Sequence, residues 1–141
     1  MTKVKLPSVT LVALAGTQIF NTVRALKYSS REIDFGRILL ISHVKPSYLP
    51  ASFDYEYISP SKSMYEWCYK AVYELGAYID TEYIILIHSD GFIVNPGSWR
   101  DEFLEYDYIG APWPVPQDNS YRDISGNLIT IPFRILFIII L

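Results

Sequence analysis

Residues 83–99 read YIILIHSDGFIVNPGSW, and this stretch decides the fold. Tyr83 to Ile87 is a run of five apolar residues with the length and β-branched content of a strand buried on both faces, as in the middle of a parallel sheet. Ligands of open α/β sheets bind outside the carboxyl ends of the strands, and this end carries His88, Ser89 and Asp90. The segment therefore predicts a central strand and a candidate site.

The Asp90-Gly91 step has two interpretations. Gly91 allows a sharp turn, and Phe92 to Val94 is a second apolar run. Asp90 is therefore expected on an exposed turn between two strands. An Asp-Gly pair is also a common two-residue hairpin loop, which gives the carboxylate no further role. A carboxylate at a strand end can alternatively hold a metal ion. Spacing alone leaves both interpretations open.

Composition limits the class of protein. The chain has 141 residues, enough for one domain with a real core. Half of the residues are hydrophobic and the net charge is −3, so no basic stripe suggests nucleic acid as a partner. The single cysteine, Cys68, excludes an internal disulfide and a cysteine-rich metal site, and it is expected to pack in the core. No signal peptide is evident, so a cytoplasmic location is expected.

Apolar runs and helical stripes alternate along the chain. Extended segments are predicted at Val9 to Leu14, Arg37 to Ser42, Tyr55 to Ile58, Tyr83 to Ile87 and Tyr108 to Ala111. The second of these follows a break at Gly36. Strands that alternate with helices predict a three-layer α/β/α fold with a mostly parallel, Rossmann-like sheet.

Three helices are predicted between the strands. Thr17 is a candidate cap for the first, whose apolar residues Ile19, Val23 and Leu26 share one face. Ser63 and Glu66 form a capping box at the start of the second. An apolar stripe on that helix is expected to pack against the sheet; its members are Met64, Trp67, Cys68, Ala71, Val72 and Leu75. A short third helix is expected after a Ser98 cap, with Trp99 and Phe103 turned inward.

Residues 6–127 resemble bacterial and viral glycosyltransferase-like domains of the nucleotide-sugar GT-A type, a group that includes the DUF5672-like family. Three segments carry the likeness: PSVTLVA at 7–13, IHSDGFIVNP at 87–96, and WRDEFLEYDYIGAPW at 99–113. The third segment is long and specific. The resemblance covers most of the chain and implies a GT-A-like, Rossmann-like fold whose C-terminal half is incomplete.

The resemblance implies transfer of a sugar from a nucleoside-diphosphate donor to the hydroxyl group of a glycan or another acceptor. In GT-A enzymes a short acidic motif after a central strand holds Mn²⁺ or Mg²⁺ against the diphosphate, and Asp90 stands at the matching place. Such a cation stabilises the negative charge that gathers on the leaving diphosphate. The usual motif has two acidic residues two apart, and here His88 occupies the first position. The implied metal ligands are therefore Asp90 and His88, and a structural histidine is the alternative.

Further site residues follow from the same resemblance. Nucleotide contacts are implied for Ala13 and Thr17 at the end of the first strand, and for Ser89, Asp90 and Gly91 after the central strand. A helix cap is the alternative role of Thr17.

A sugar-binding wall is implied further along the chain. Trp113 lies between two prolines and offers an indole face to a sugar ring, and a structural proline-rich turn is its alternative. Asp107 and Asp118 are the carboxylates nearest to that tryptophan in the sequence, and surface charge is their alternative. Trp113 and Asp118 are the predicted substrate contacts.

The segment 128–141 departs from the family pattern. It is an apolar tail with Arg134 as its one charge, and it is shorter than the roughly 20 apolar residues of a membrane span. We expect the nucleotide-sugar-binding part to occupy 1–127 and the tail to be sequence foreign to the family; a closing strand or an interfacial anchor is the alternative. A truncated domain would lack the catalytic base, so no catalytic residue is assigned. A non-catalytic nucleotide- or carbohydrate-binding remnant is the alternative function.

Overall fold

A computed structural model describes residues 2–110, 125 and 127, together with the backbone of residues 135–136. Its strands are β1 (Val4–Ala15), β2 (Ile33–Ser42), β3 (Asp54–Tyr57), β4 (Tyr83–Ile87), β5 (Tyr108–Ile109) and β6 (Ile135–Leu136). Its α-helices are α1 (Ile19–Ser29) and α2 (Met64–Tyr69). A π-helical turn (Lys70–Glu74) and a 3-10 turn (Leu75–Tyr78) continue α2, and two more 3-10 turns cover Pro96–Ser98 and Asp101–Glu105.

The strands form one sheet in the order β3-β2-β1-β4-β6-β5, and all its described pairings are parallel. This confirms the predicted α/β, Rossmann-like class. The chain adds β2 and β3 on one side of β1 and then crosses to place β4 on the other side. The order of strands therefore reverses between β1 and β4, which is the usual ligand-binding position of such sheets.

Two hydrophobic clusters lie on opposite faces of the sheet, because successive side chains of a strand point to opposite faces. Leu11 of β1 and Ile85 of β4 belong to the cluster that includes Val23 and Leu26 of α1. Residues Val12 and Leu86, from the same two strands, belong to the second cluster. That cluster is closed by Ala71 and Leu75, which follow α2. The sheet is thus covered on both sides, as the apolar run of β4 predicts.

Gly36 lies inside β2, opposite a β-bulge of β1, so the predicted strand break at this residue is wrong. The pairing of β1 with β2 shifts register between Leu6 and Thr10, and β2 begins at Ile33, before the glycine. A Cβ atom on Gly36 would overlap the carbonyl oxygen of Pro7 and lie 2.9 Å from its carbonyl carbon. Only glycine allows this close approach of the two backbones.

Helix α1 forms where its apolar spacing predicts, but Thr17 is not its cap. The N-cap is Gln18, which has a left-handed backbone (φ 56°) and makes no capping hydrogen bond with its side chain. Its carbonyl oxygen accepts the first helical bond from the Thr22 amide (2.9 Å) and another from the Thr22 hydroxyl (3.0 Å). A left-handed residue is needed here because the chain turns out of β1 within three residues.

The cap of α2 is confirmed in part. The Ser63 hydroxyl accepts a hydrogen bond from the Glu66 amide (3.1 Å), as in a capping box. The Glu66 carboxylate reaches one residue further back and accepts from the Lys62 amide (2.8 Å). Both bonds satisfy amides that the helix itself leaves without partners.

The apolar stripe predicted for α2 is only partly buried against the sheet. Ala71 and Leu75 are buried, whereas Met64 is 74% exposed and Cys68 is also exposed, so the predicted packing of these two is wrong. The buried face is rotated toward Lys70, which is 5% exposed. Its ammonium group donates to the carbonyl oxygen of Ser59 (2.7 Å), which allows the charge to be buried.

The segment after β4 differs from the prediction. Phe92 to Val94 forms no strand, so Asp90 does not connect two strands or close a hairpin. Trp99 and Phe103 do turn inward, and their rings meet edge to face at 5.4 Å. The 3-10 turn that contains Phe103 begins after Arg100, so Ser98 is not its cap.

The short predicted strands are confirmed within one or two residues. Strand β3 begins one residue earlier than predicted, and β5 covers Tyr108–Ile109 of the predicted 108–111 segment. Within the described residues no helix is long and apolar enough to cross a membrane.

Candidate active site at the carboxyl ends of β1 and β4

A cleft of ≈ 310 Å³ lies at the carboxyl ends of β1 and β4, where the strand order reverses. Its walls come from the end of β1 with the start of α1, the end of β4, and the segment that leads into α2. The lining residues are Leu14–Thr17, Thr22, Ser61–Met64, Trp67 and Ile87–Ser89. The volume lies within the range of small-molecule sites, roughly 300 to 1,000 Å³.

Trp67 forms one wall of the cleft. Its indole N–H donates to the carbonyl oxygen of Leu14 (2.8 Å), which ties α2 to the end of β1. Its ring lies 4.9 Å from the imidazole of His88, at an interplanar angle of 52°. These contacts hold the ring in place before any ligand binds.

His88 is half-buried against that wall. Burial lowers its pKa below the ordinary value, and the nearby charge of Asp90 opposes this effect without cancelling it. The imidazole is therefore neutral at neutral pH. A neutral imidazole offers one nitrogen lone pair to a hydrogen-bond donor or to a metal ion.

Asp90 is exposed on a tight reversal after β4. The amide of His88 donates to the carbonyl oxygen of Gly91 (2.8 Å), so Ser89 and Asp90 form the tip of the turn. Ser89 lines the cleft and Asp90 stands beside it. We call residues 88–91 the elbow.

The elbow supplies two potential metal ligands. Within the described residues no group of three or more His, Cys, Asp or Glu side chains is placed to hold a metal ion. An imidazole and a carboxylate fit Mn²⁺, and Mg²⁺ commonly binds through one or two carboxylates with substrate phosphates completing its shell. A cation at the elbow would therefore depend on ligand oxygens.

A family model matches residues 48–128, which is more than half of the chain. The chain belongs to the DUF5672 family. That family is described as a protein of unknown function, so membership assigns no activity. No curated protein and no solved structure matches the chain.

The sequence-predicted residues of this DUF5672 protein are distributed unevenly. Thr17, His88 and Ser89 line the cleft together. Ala13 is fully buried within β1, so its side chain is not exposed to a ligand. Asp90 and Gly91 form the elbow beside the cleft.

Three further residues that the sequence analysis considered for the site lie later in the chain. Trp113 and Asp118 lie outside the described residues, as does most of the segment 128–141; Asp107 is exposed just before β5. Of that segment only Ile135–Leu136 is described, as a strand between β4 and β5.

Sequence reasoning missed the wall that precedes α2. Ser61, Lys62 and Trp67 reach the cleft because α2 packs beside the ends of β1 and β4, which no local spacing reveals. The signal that was available is the capping box, since it places Lys62 and Ser63 at the beginning of a helix that follows a strand.

Proposed function

We propose that the cleft binds the nucleoside diphosphate of a sugar donor, and that the protein transfers the sugar to an acceptor hydroxyl. The observation that carries the proposal is a preformed cleft at the point where the strand order of a parallel sheet reverses. Nucleotides bind at this position in many doubly wound folds, and fold alone does not define chemistry. The lining groups supply the rest of the argument.

The cleft contains groups suited to a diphosphate. Thr17 and Ser63 bring hydroxyl groups, and Lys62 brings a positive charge. Helix α1 begins beside the cleft, and its N-cap side chain leaves the first-turn amides uncapped. Amides at a helix N-terminus, together with the helix dipole, favour phosphate oxygens.

The rings of Trp67 and His88 suit the uncharged parts of a donor. Trp67 presents a fixed apolar surface, which a nucleobase or the C–H face of a sugar can cover. Neutral His88 avoids a competing charge on that surface while keeping one nitrogen available.

A divalent cation would be held by Asp90 and His88 in this proposal. When bound, Mn²⁺ or Mg²⁺ supplies positive charge to the leaving diphosphate. The chain's own contribution is to orient the phosphates with Lys62 and the hydroxyl groups and to hold the elbow beside them.

A binding protein without catalysis is the second candidate. No carboxylate lines the described cleft, and the neutral imidazole among its described lining residues, His88, is already assigned to the cation in the transferase proposal. Such a protein would bind a nucleotide or a carbohydrate without releasing a product. Turnover separates the two candidates.

Thermal unfolding of the full chain with UDP-, GDP-, CMP- and dTDP-sugars, with and without Mn²⁺, tests donor binding. A ligand that binds only the folded state stabilises it by about 2.7 kcal/mol at a concentration of 100 times its Kd, so the midpoint rises. We expect one nucleotide to raise the midpoint, with a larger rise when Mn²⁺ is present. Asp90→Asn should remove the metal-dependent part of the rise.

Lys62→Gln and Lys5→Gln form a matched pair for the same assay. Lys62 lines the cleft, whereas Lys5 is exposed near the amino end of β1. Loss of the nucleotide effect in Lys62→Gln alone supports the proposal. An equal loss in both variants, or no nucleotide effect on a cooperatively folded wild type, would contradict it. Release of nucleoside diphosphate from the donor that binds then distinguishes a transferase from a binding protein.

A further inference from the structure

A second cleft of ≈ 590 Å³ lies on the other side of Ser89. Helix α1 forms one wall and the segment after β4 forms the other. The lining residues are Asn21, Arg24, Ala25, Tyr28, Ser89, Phe92 and Val94. Since Ser89 also lines the first cleft, the elbow is the partition between the two.

The walls of the second cleft are held together by specific contacts. The Tyr28 and Phe92 rings meet edge to face at 5.5 Å, and the Arg31 guanidinium lies 3.8 Å from the centroid of the Tyr28 ring. Arg31 also donates to the carbonyl oxygens of Ile93 (3.3 Å) and Val94 (2.8 Å). The cleft is therefore largely preformed, which lowers the entropy cost of binding.

Arg24 gives this cleft a positive charge. Within the part of the chain that the structure describes, its guanidinium makes no ion pair or hydrogen bond, and its one contact of note is the Phe20 ring at 5.9 Å. Asn21, one turn earlier on α1, adds an amide that can donate and accept. The donors of a guanidinium match the oxygens of a carboxylate or phosphate.

We propose that the second cleft binds the acceptor, a sugar that carries an anionic group. Arg24 binds the carboxylate or phosphate, Asn21 binds a hydroxyl, and the Tyr28 and Phe92 rings cover the apolar face of the sugar. An acceptor held here lies across Ser89 from the donor cleft. The role as acceptor rests on the proposed transferase function, whereas binding of the anionic sugar does not.

Titration of the ¹⁵N-labelled full chain followed by NMR tests the binding. The probes are methyl β-D-glucuronide, glucose 6-phosphate and methyl β-D-glucoside, which distinguish a carboxylate, a phosphate and a neutral sugar. We expect saturable shifts at Asn21, Tyr28 and Phe92 with one or both anionic probes and weaker binding of the neutral sugar. The anionic probe that binds with the higher affinity shows whether the cleft prefers a carboxylate or a phosphate.

Two variants on one helix provide the control. Arg24→Gln should weaken the anionic probe at least about tenfold, because a charge-assisted hydrogen bond is lost. Lys27→Gln removes the same charge from an exposed residue of α1 that does not line the cleft, so its affinity should match wild type. Equal affinity for the neutral sugar, equal losses in both variants, or shifts that lie elsewhere would overturn the proposal.

The same spectra separate this inference from the donor proposal. Shifts at Thr17 and Ser63 on addition of a nucleotide report the first cleft, whereas Ser89 lines both clefts and does not separate them. Nucleotide binding without anionic-sugar binding would contradict only the acceptor cleft. The reverse result would contradict the donor cleft, and with it the transferase and acceptor roles, but not the binding of an anionic sugar in the second cleft.

Discussion

His88 lies against the Trp67 ring and lines the first cleft, and its protonation state depends on two neighbouring effects. Burial lowers its pKa, and Asp90 raises it by a smaller amount. A histidine whose folded pKa lies below its unfolded value contributes stability that is present above the unfolded pKa, about 6.5. That contribution is lost as the pH falls through the folded pKa.

We therefore expect the NMR titration of His88 to have a midpoint below 6.5, its ordinary value. Asp90→Asn should lower the midpoint further, because the variant removes the charge that favours the imidazolium ion. His88→Gln should reduce the loss of unfolding free energy between pH 7 and pH 5, measured with urea. His43→Gln, which changes the other histidine of the chain, should leave the His88 midpoint unchanged. A midpoint above the ordinary value would contradict the assigned burial.

Gly36 provides a prediction about backbone packing. Gly36→Ala should destabilise the protein by about 1–3 kcal/mol, because the added methyl group would overlap the Pro7 carbonyl. Gly97→Ala is the control: its Cβ would lie 3.5 Å from the Asn95 side-chain oxygen, an ordinary contact on the surface. Urea unfolding of both variants checks the difference. Similar stabilities would mean that β1 and β2 separate easily at the bulge.

The N-cap of α2 should contribute measurably to the stability of the protein. Ser63→Ala should cost about 1 kcal/mol of unfolding free energy, since the Glu66 amide loses its acceptor. It should also weaken the nucleotide binding that we propose, because Ser63 lines the first cleft. Ser52→Ala, at an exposed serine before β3, should stay within about 0.5 kcal/mol of wild type. Equal effects of the two substitutions on unfolding would show that the cap contributes nothing.

Elements with a strong local pattern could be predicted from the sequence. The β-branched run of β4 and the apolar spacing of α1 specify their own structure, because burial on a sheet requires those patterns. The N-cap of α1 could not be predicted, since the left-handed Gln18 depends on how the chain leaves β1. Phe92 to Val94 has the apolar pattern of a strand but forms none, because its backbone partners come from tertiary contacts that the sequence does not reveal. Arg31 and the Ser29 hydroxyl, not a neighbouring strand, bind the backbone of this segment.

In the candidate site too, residues within a local sequence pattern could be predicted, and residues brought together by packing could not. His88 and Ser89 were predicted because the end of a buried strand is a local feature with a general meaning. Trp67, Lys62 and the whole second cleft were not predicted, because they come together only through packing of α1 and α2 on the sheet. Exposure of Cys68 was missed because the buried face of α2 is rotated toward Lys70.

At the scale of the whole molecule, the two clefts share one partition, and α1 holds that partition in place. The Arg31 guanidinium donates to carbonyl oxygens at the end of α1 and beyond β4: Tyr28 (2.6 Å), Ile93 (3.3 Å) and Val94 (2.8 Å). The Ile93 amide donates to the buried Ser29 hydroxyl (3.1 Å). The segment that follows the elbow is thus bound by side chains at the end of α1 and not by a neighbouring strand, so we expect its local stability to differ from that of β1 and β4.

Amide hydrogen exchange tests this arrangement. Arg31→Lys keeps the charge but loses the forked donor that reaches these carbonyl groups. We expect exchange at Ile93 to become about tenfold faster or more, while the central amides of β1 and β4 exchange as in wild type. Arg24→Lys is the control, because Arg24 makes no hydrogen bond within the described residues. Faster exchange throughout the sheet would instead make Arg31 a residue of global stability, whereas a change confined to the segment after β4 would show that Arg31 stabilises this segment locally.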